Sequence, residues 1–95
     1  MKVYITAILR SKKNSREELI VILKDLVEKS LVEKACIRYE LQQGSEDQNL
    51  FVFHEIWINN KGLELHHSQK HFKDFISKSE PLLEGQIEVY KTNLI

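Results

Sequence analysis

Hydrophobic and polar positions alternate along most of this chain, with one long interruption of helical period. Val3 to Leu9 is rich in β-branched residues, and both of its faces, Val3/Ile5/Ala7/Leu9 and Tyr4/Thr6/Ile8, are largely apolar. A strand apolar on both faces is covered on both faces. Leu19, Ile22, Leu23, Leu26 and Val27 then recur at helical spacing, with Lys24, Asp25, Glu28 and Lys29 turned outward. Ser15-Arg16-Glu17-Glu18 ahead of that stripe reads as a capping box. Cys36 to Gln42 predicts a half-buried strand with Ile37, Tyr39 and Leu41 on one face and Arg38, Glu40 and Gln42 on the other. The polar turn from Gly44 to Asn49 joins it in a hairpin to Leu50–Ile58, a strand with Phe51, Phe53, Glu55 and Trp57 on one side and Leu50, Val52, His54, Ile56 and Ile58 on the other.

Asn59-Asn60 predicts the cap of a short helical turn through Leu63 and Leu65. Ser68 is the expected cap of a second segment with Phe72, Phe75 and Ile76 as its buried stripe, ended by Pro81. Ile87 to Asn93 alternates as a last strand. The order βαββαβ, with strands one and three apolar on both faces, fits a split βαβ arrangement with those two strands central. The expected fold is α+β and ferredoxin-like: a four-stranded antiparallel sheet in one domain over residues 1–95, with helices on one face. The other face needs cover, and a second copy packed sheet to sheet is the simplest. A homodimer is therefore expected.

Composition narrows the function classes. With 14 basic and 14 acidic residues the formal net charge is zero, which removes the general electrostatic footprint of a nucleic-acid binder. Arg10, Lys12, Lys13 and Arg16 form the one basic cluster and read as a solvated turn. Cys36 stands alone, so neither an intrachain disulfide nor a thiolate metal cluster can form, and a packed thiol is expected. No apolar run approaches the ~18 residues of a membrane span, and the first residues lack the pattern of a signal peptide. A cytoplasmic location is the expectation. Three glycines and no glycine-rich phosphate loop leave nothing that asks for a nucleotide.

The chemistry concentrates around Glu55, Trp57, His66, His67, His71 and Phe72, where a strand hands over to helix. Ionisable groups beside large aromatics are the usual make-up of a small-molecule pocket. Glu55 and Trp57 share a strand face; Glu55 reads as a general base or as a structural acceptor, and Trp57 as a stacking platform or as core. His66 and His71 read as acid/base groups or as satisfied structural histidines. Tyr39 reads as a hydrogen-bonding partner for a substrate oxygen, and Phe72 as a pocket wall. Only His67 and His71 have the i, i+4 spacing of a helical zinc site, and no acidic third ligand lies at a matching spacing in that segment, so no metal is expected. His67 is expected to face solvent.

Phe53-His54-Glu55-Ile56-Trp57, followed by Leu63-Glu64-Leu65-His66 and His71-Phe72, resembles the antibiotic biosynthesis monooxygenase family of dimeric α+β barrels. The resemblance implies a homodimer joined through the open sheet face, with a pocket between sheet and helices in each protomer. Some members of that family oxidise phenols or quinols with molecular oxygen and no metal or flavin; others degrade haem, and one group isomerises a phosphorylated quorum-signal sugar derivative. Haem-degrading members resemble one another in a first-strand asparagine and, after the E-x-W motif, a tryptophan nine residues on and a histidine ten further. Here those last two positions are His66 and Ile76, and Val3 to Leu9 contains no asparagine, so haem breakdown is not expected. The leading expectation is a cofactor-independent monooxygenase for a small aromatic or quinol-like compound, with His66, Glu55 and His71 catalytic and Trp57, Tyr39 and Phe72 binding substrate. The alternatives are an isomerase of a small phosphorylated metabolite and a non-catalytic small-molecule-binding dimer module.

Overall fold

A computed structural model describes residues 1–95. Strand β1 (Val3–Arg10) leads to helix α1 (Arg16–Leu31), then to the hairpin of β2 (Cys36–Gln43) and β3 (Leu50–Trp57). Helices α2 (Asn60–Ser68) and α3 (Lys70–Ser79) follow, then a 3-10 turn at Glu80–Leu82 and strand β4 (Glu88–Thr92). The sheet is antiparallel in the order β2-β3-β1-β4, so the two strands apolar on both faces are the two central ones. Their register, Val3 opposite Trp57 through Arg10 opposite Leu50, is unbroken. Because side chains alternate with period two, that register places Val3, Ile5, Ala7 and Leu9 on one face with Trp57, Glu55, Phe53 and Phe51. All eight are buried. Tyr4, Thr6, Ile8, Val52, His54 and Ile56 lie on the other face, half-buried. No helix is long and apolar enough to cross a membrane.

Helix α1 covers the inner face through Leu19, Leu23, Leu26 and Ser30, all buried, with Ile22 and Val27 packed at the margin. The capping box is not made. Ser15 occupies the N-cap position with helical backbone angles, and its hydroxyl makes no capping bond. Its carbonyl accepts from Leu19 N–H at 2.9 Å instead, the ordinary first rung of a helix. Ile37 also departs from expectation. A register shift between Cys36 and Arg38 inserts one residue into β2. Such a bulge breaks strict alternation, so Ile37 is exposed, while Tyr39 and Leu41 stay opposite Glu55 and Phe53.

At the start of α2 the Asn59 side-chain oxygen accepts from Gly62 N–H at 2.8 Å, as expected of a cap. The break between α2 and α3 falls at Gln69, whose backbone is extended (φ −69, ψ 146). Ser68 does not cap α3; its hydroxyl donates to the Leu65 carbonyl at 2.7 Å and so closes α2. Phe75 is buried and Phe72 half-buried, but Ile76 is exposed. Pro81 sits inside the 3-10 turn that follows α3. The last strand is shorter than its alternation suggests, and all five of its residues are exposed on the sheet edge.

Candidate functional site

Between the inner sheet face and α3 lies a cavity of about 140 Å³, close in size to an engineered interior cavity of ~150 Å³ that binds benzene. Ile5, Ala7 and Leu9 of β1 form its floor with Phe53 of β3. Phe72, Phe75 and Ile76 of α3 roof it, and Val89 of β4 closes the outer edge. Three groups break this apolar surface: Glu55, Tyr39 and, at the exposed rim, His67. No lysine or arginine lines it.

Glu55 is 7% exposed, in a place where a bare carboxylate is costly. Its Oε1 accepts the indole N–H of Trp57, two residues on along the same strand face, at 2.8 Å. Burial pushes the Glu55 pKa up to about 7; the Trp57 N–H and the Tyr39 hydroxyl pull against that rise, and the negative charge of Glu33 adds to it. A carboxyl poised there exchanges its proton in the neutral range, which suits a general base. Burial, reinforced by the charge of Glu55, raises the Tyr39 pKa and keeps the phenol protonated as a donor. Its ring packs on Phe53 (centroids 5.3 Å apart) and edge-on to Trp57 (6.1 Å).

Trp57 is fully buried and is not part of the cavity lining. Of the two roles expected of it, stacking platform or core, this placement is that of a core residue. It acts on the cavity through its hydrogen bond to Glu55.

His66 and His71 form a second polar centre with a residue that the sequence did not point to. His66 Nδ1 lies 2.6 Å from Glu33 Oε2, and His71 Nε2 lies 2.8 Å from the same oxygen. Five residues apart on an unbroken helix, the two histidines would point about 140° apart. The break at Gln69 reorients α3 and brings their rings to 6.0 Å. Glu33 comes from the α1–β2 loop, in a turn held by its own N–H to the Ser30 carbonyl and by Cys36 N–H to its carbonyl, each at 3.0 Å. His66 is 1% exposed and packs against Trp57 (4.4 Å) and Phe72 (5.0 Å). Burial lowers its pKa, against the pull of Glu33, and its Nε2 has no hydrogen-bond partner.

Neither His66 nor His71 is among the residues lining the cavity. Both rings, expected from the sequence as acid/base groups, are instead engaged with Glu33. His71 faces a separate groove between α1 and α3, with Val21, Asp25 and Lys29 on one side and Asp74 and Lys78 on the other. His67, expected in solvent, is exposed but leans on Phe72 (4.7 Å) at the cavity rim. His54 lies on the open sheet face, away from Glu55, as expected. Cys36 begins β2 packed against the core, where burial and the charges of Glu33 and Glu55 push its thiol up to about 11. It is not a nucleophile near neutral pH. Glu33 left no signature in the sequence, being 33 and 38 residues from its partners.

Comparison with known proteins agrees with this architecture. YcnE of Bacillus subtilis (strain 168), a monooxygenase by proposal of its name, is 28% identical over 92 residues, 97% of each chain. The uncharacterised protein sll1783 of Synechocystis is 32% identical over 85 residues, 87% of this chain; the chain spans only 58% of that relative's length. The crystal structure of PA3566 from Pseudomonas aeruginosa superposes with a TM-score of 0.93 at 28% identity, covering 99% of this chain and 94% of that one. The sequence profile described as antibiotic biosynthesis monooxygenase matches residues 3–78. The chain, ferredoxin-like in fold, belongs to the antibiotic biosynthesis monooxygenase family.

Proposed function

We propose that this protein is a monooxygenase that uses molecular oxygen, without metal or flavin, on a monocyclic phenol or hydroquinone. The observation that carries the reading is a ring-sized apolar cavity whose single carboxyl, Glu55, has its pKa raised to about 7 and is oriented by Trp57 N–H. Glu55 removes the phenolic proton, and Tyr39 donates a hydrogen bond to the resulting oxyanion. Phe53, Phe72 and Phe75 hold the ring and exclude water, and the electron-rich anion reduces oxygen itself. For a hydroquinone, one oxygen atom enters the ring to give a hydroxyquinone and the other leaves as water. His66 and His71, both held on Glu33, brace the α2–α3 wall. A phosphorylated substrate is disfavoured by a lining that holds a carboxyl and no cation. The half-buried apolar residues of the open face, Tyr4, Ile8, Val52 and Ile56, support a homodimer joined there.

Oxygen consumption by metal-stripped protein over a panel of substituted phenols and hydroquinones tests the reading, with Glu55→Gln alongside. Uptake above the autoxidation blank that the variant loses is the expected result. Uptake equal in both proteins removes Glu55 from the chemistry, and none across the panel overturns the monooxygenase reading.

A further inference from the structure

Glu33 presents an unusual charge balance. Its side chain is 11% exposed and its ion-pair partners are two imidazoles, His66 and His71, with no lysine or arginine in range. Largely buried carboxylates are ordinarily matched by a fixed cation or a metal. The three donor atoms come from three separate elements (the α1–β2 loop, α2 and α3) and all lie within 4.8 Å of one another.

We propose that Glu33, His66 through Nδ1 and His71 through Nε2 form a binding site for a borderline divalent cation of the Zn²⁺ type. Two imidazoles and one carboxylate are a recurrent three-ligand set for zinc, leaving a fourth position open. This donor set selects first-row transition ions over the all-oxygen preference of Mg²⁺ and Ca²⁺. A tetrahedral ion about 2.0–2.1 Å from each ligand holds them roughly 3.3–3.4 Å apart. The two histidine–carboxylate distances are 2.6 and 2.8 Å, so Oε2 has to retreat by roughly 0.5–0.8 Å. The two imidazole nitrogens, within 4.8 Å of each other, have to close to the same spacing; torsions of the Glu33 carboxylate and of the partly exposed His71 ring supply both movements. His71, 16% exposed, opens onto the groove between α1 and α3. That groove gives an entry path from solvent to the His71 side of the site.

The site lacks one refinement. Metal-bound His66 carries its proton on Nε2, which is buried without a hydrogen-bond partner. A missing outer-shell partner weakens metal affinity roughly 10–100-fold, so the site is weaker than one fully supported. The ion would tie the α1–β2 loop to the helices on both sides of Gln69 and stiffen the wall that carries Phe72.

Zn²⁺ titration of the whole protein, by calorimetry and by competition with a chromophoric chelator, tests the proposal. Co²⁺ substitution of the unaltered protein reads coordination from its visible bands. The expected result is one equivalent bound, four- or five-coordinate Co²⁺, and imidazole ¹⁵N shifts at His66 Nδ1 and His71 Nε2. Glu33→Gln and His71→Ala should each lose affinity by ~100-fold or more, beyond the outer-shell effect, while His67→Ala keeps it. Absence of binding at millimolar Zn²⁺, six-coordinate Co²⁺ without imidazole shifts, or binding that persists in Glu33→Gln would overturn it. The Co²⁺ and ¹⁵N readings need no variant, so they decide the matter even if a variant fails to fold.

Discussion

Replacing Glu55 with glutamine should make the protein more stable at pH 8 and leave it nearly unchanged at pH 4.5. In the folded chain the carboxyl is buried and its pKa stands at about 7, against 4.5 for an ordinary glutamate. Between those two values the folded state holds a proton that the unfolded state has released, so the slope of stability with pH is negative there. The penalty is absent below about 4.5, grows through the window, and is complete above about 7. At about 1.4 kcal/mol per pH unit it reaches ~3 kcal/mol. Glutamine imitates the protonated acid at every pH and still offers an oxygen to Trp57 N–H. The difference in unfolding free energy between variant and wild type should therefore climb from near zero at pH 4.5 to ~3 kcal/mol at pH 8, a large fraction of the ~5–15 kcal/mol that holds a domain together. Urea denaturation at half-unit pH steps measures it, and taking the difference cancels groups common to both proteins. A flat difference across pH 4.5–8, or a variant less stable at pH 8, would refute the claim that Glu55 is held in a desolvated, destabilised state.

Three further outcomes follow from the same contacts. Trp57→Phe removes the N–H that lowers the Glu55 pKa; the carboxyl should titrate above about 7, moving the acid limb of the pH–activity profile upward, at a stability cost of ~1–3 kcal/mol for the unpaired buried acceptor. Ala7→Leu pushes a larger side chain into a cavity of about 140 Å³; phenol binding measured by calorimetry should be lost, with ~1–3 kcal/mol of overpacking strain and no change in the Glu55–Trp57 pair. Gly62→Ala should destabilise even though alanine is the better helix former by ~1 kcal/mol, because the new Cβ would stand 2.4 Å from that of Ala35; thermal unfolding decides the sign.

What could be read from the chain was whatever depends on a single element. The α1 stripe, the doubly apolar β1 and β3, the Asn59 cap and the shared face of Glu55 and Trp57 all follow from local period, and the family motif lies within that handover. The misses are relations between elements. Ile37 left its expected face because the bulge is a property of the β2–β3 pairing, which the spacing of β2 alone does not encode. Ser15 and Ser68 have the right chemistry for caps, but the Ser15 hydroxyl makes no capping bond, and Ser68 falls one residue before the Gln69 N-cap and turns its hydroxyl to the Leu65 carbonyl. Glu33 sits in a loop without periodicity, and only folding brings it to His66 and His71. A break in this region was legible from Ser68, but that the extended backbone falls at Gln69 and turns His71 toward His66 was not.

The outer wall of the cavity is Val89, on a five-residue edge strand paired only with β1 and exposed along its whole length. Its amides depend on one ladder rather than two, as those of the other edge strand β2 do. But β4 is five residues long against eight and has no buried side chain, so it is the strand that separates at least expense. In hydrogen–deuterium exchange it should therefore be the first strand to lose protection, well before β1 or β3. Each such opening exposes the apolar chamber at the sheet margin, coupling the breathing of a marginal strand to the rate at which a ring can enter or leave.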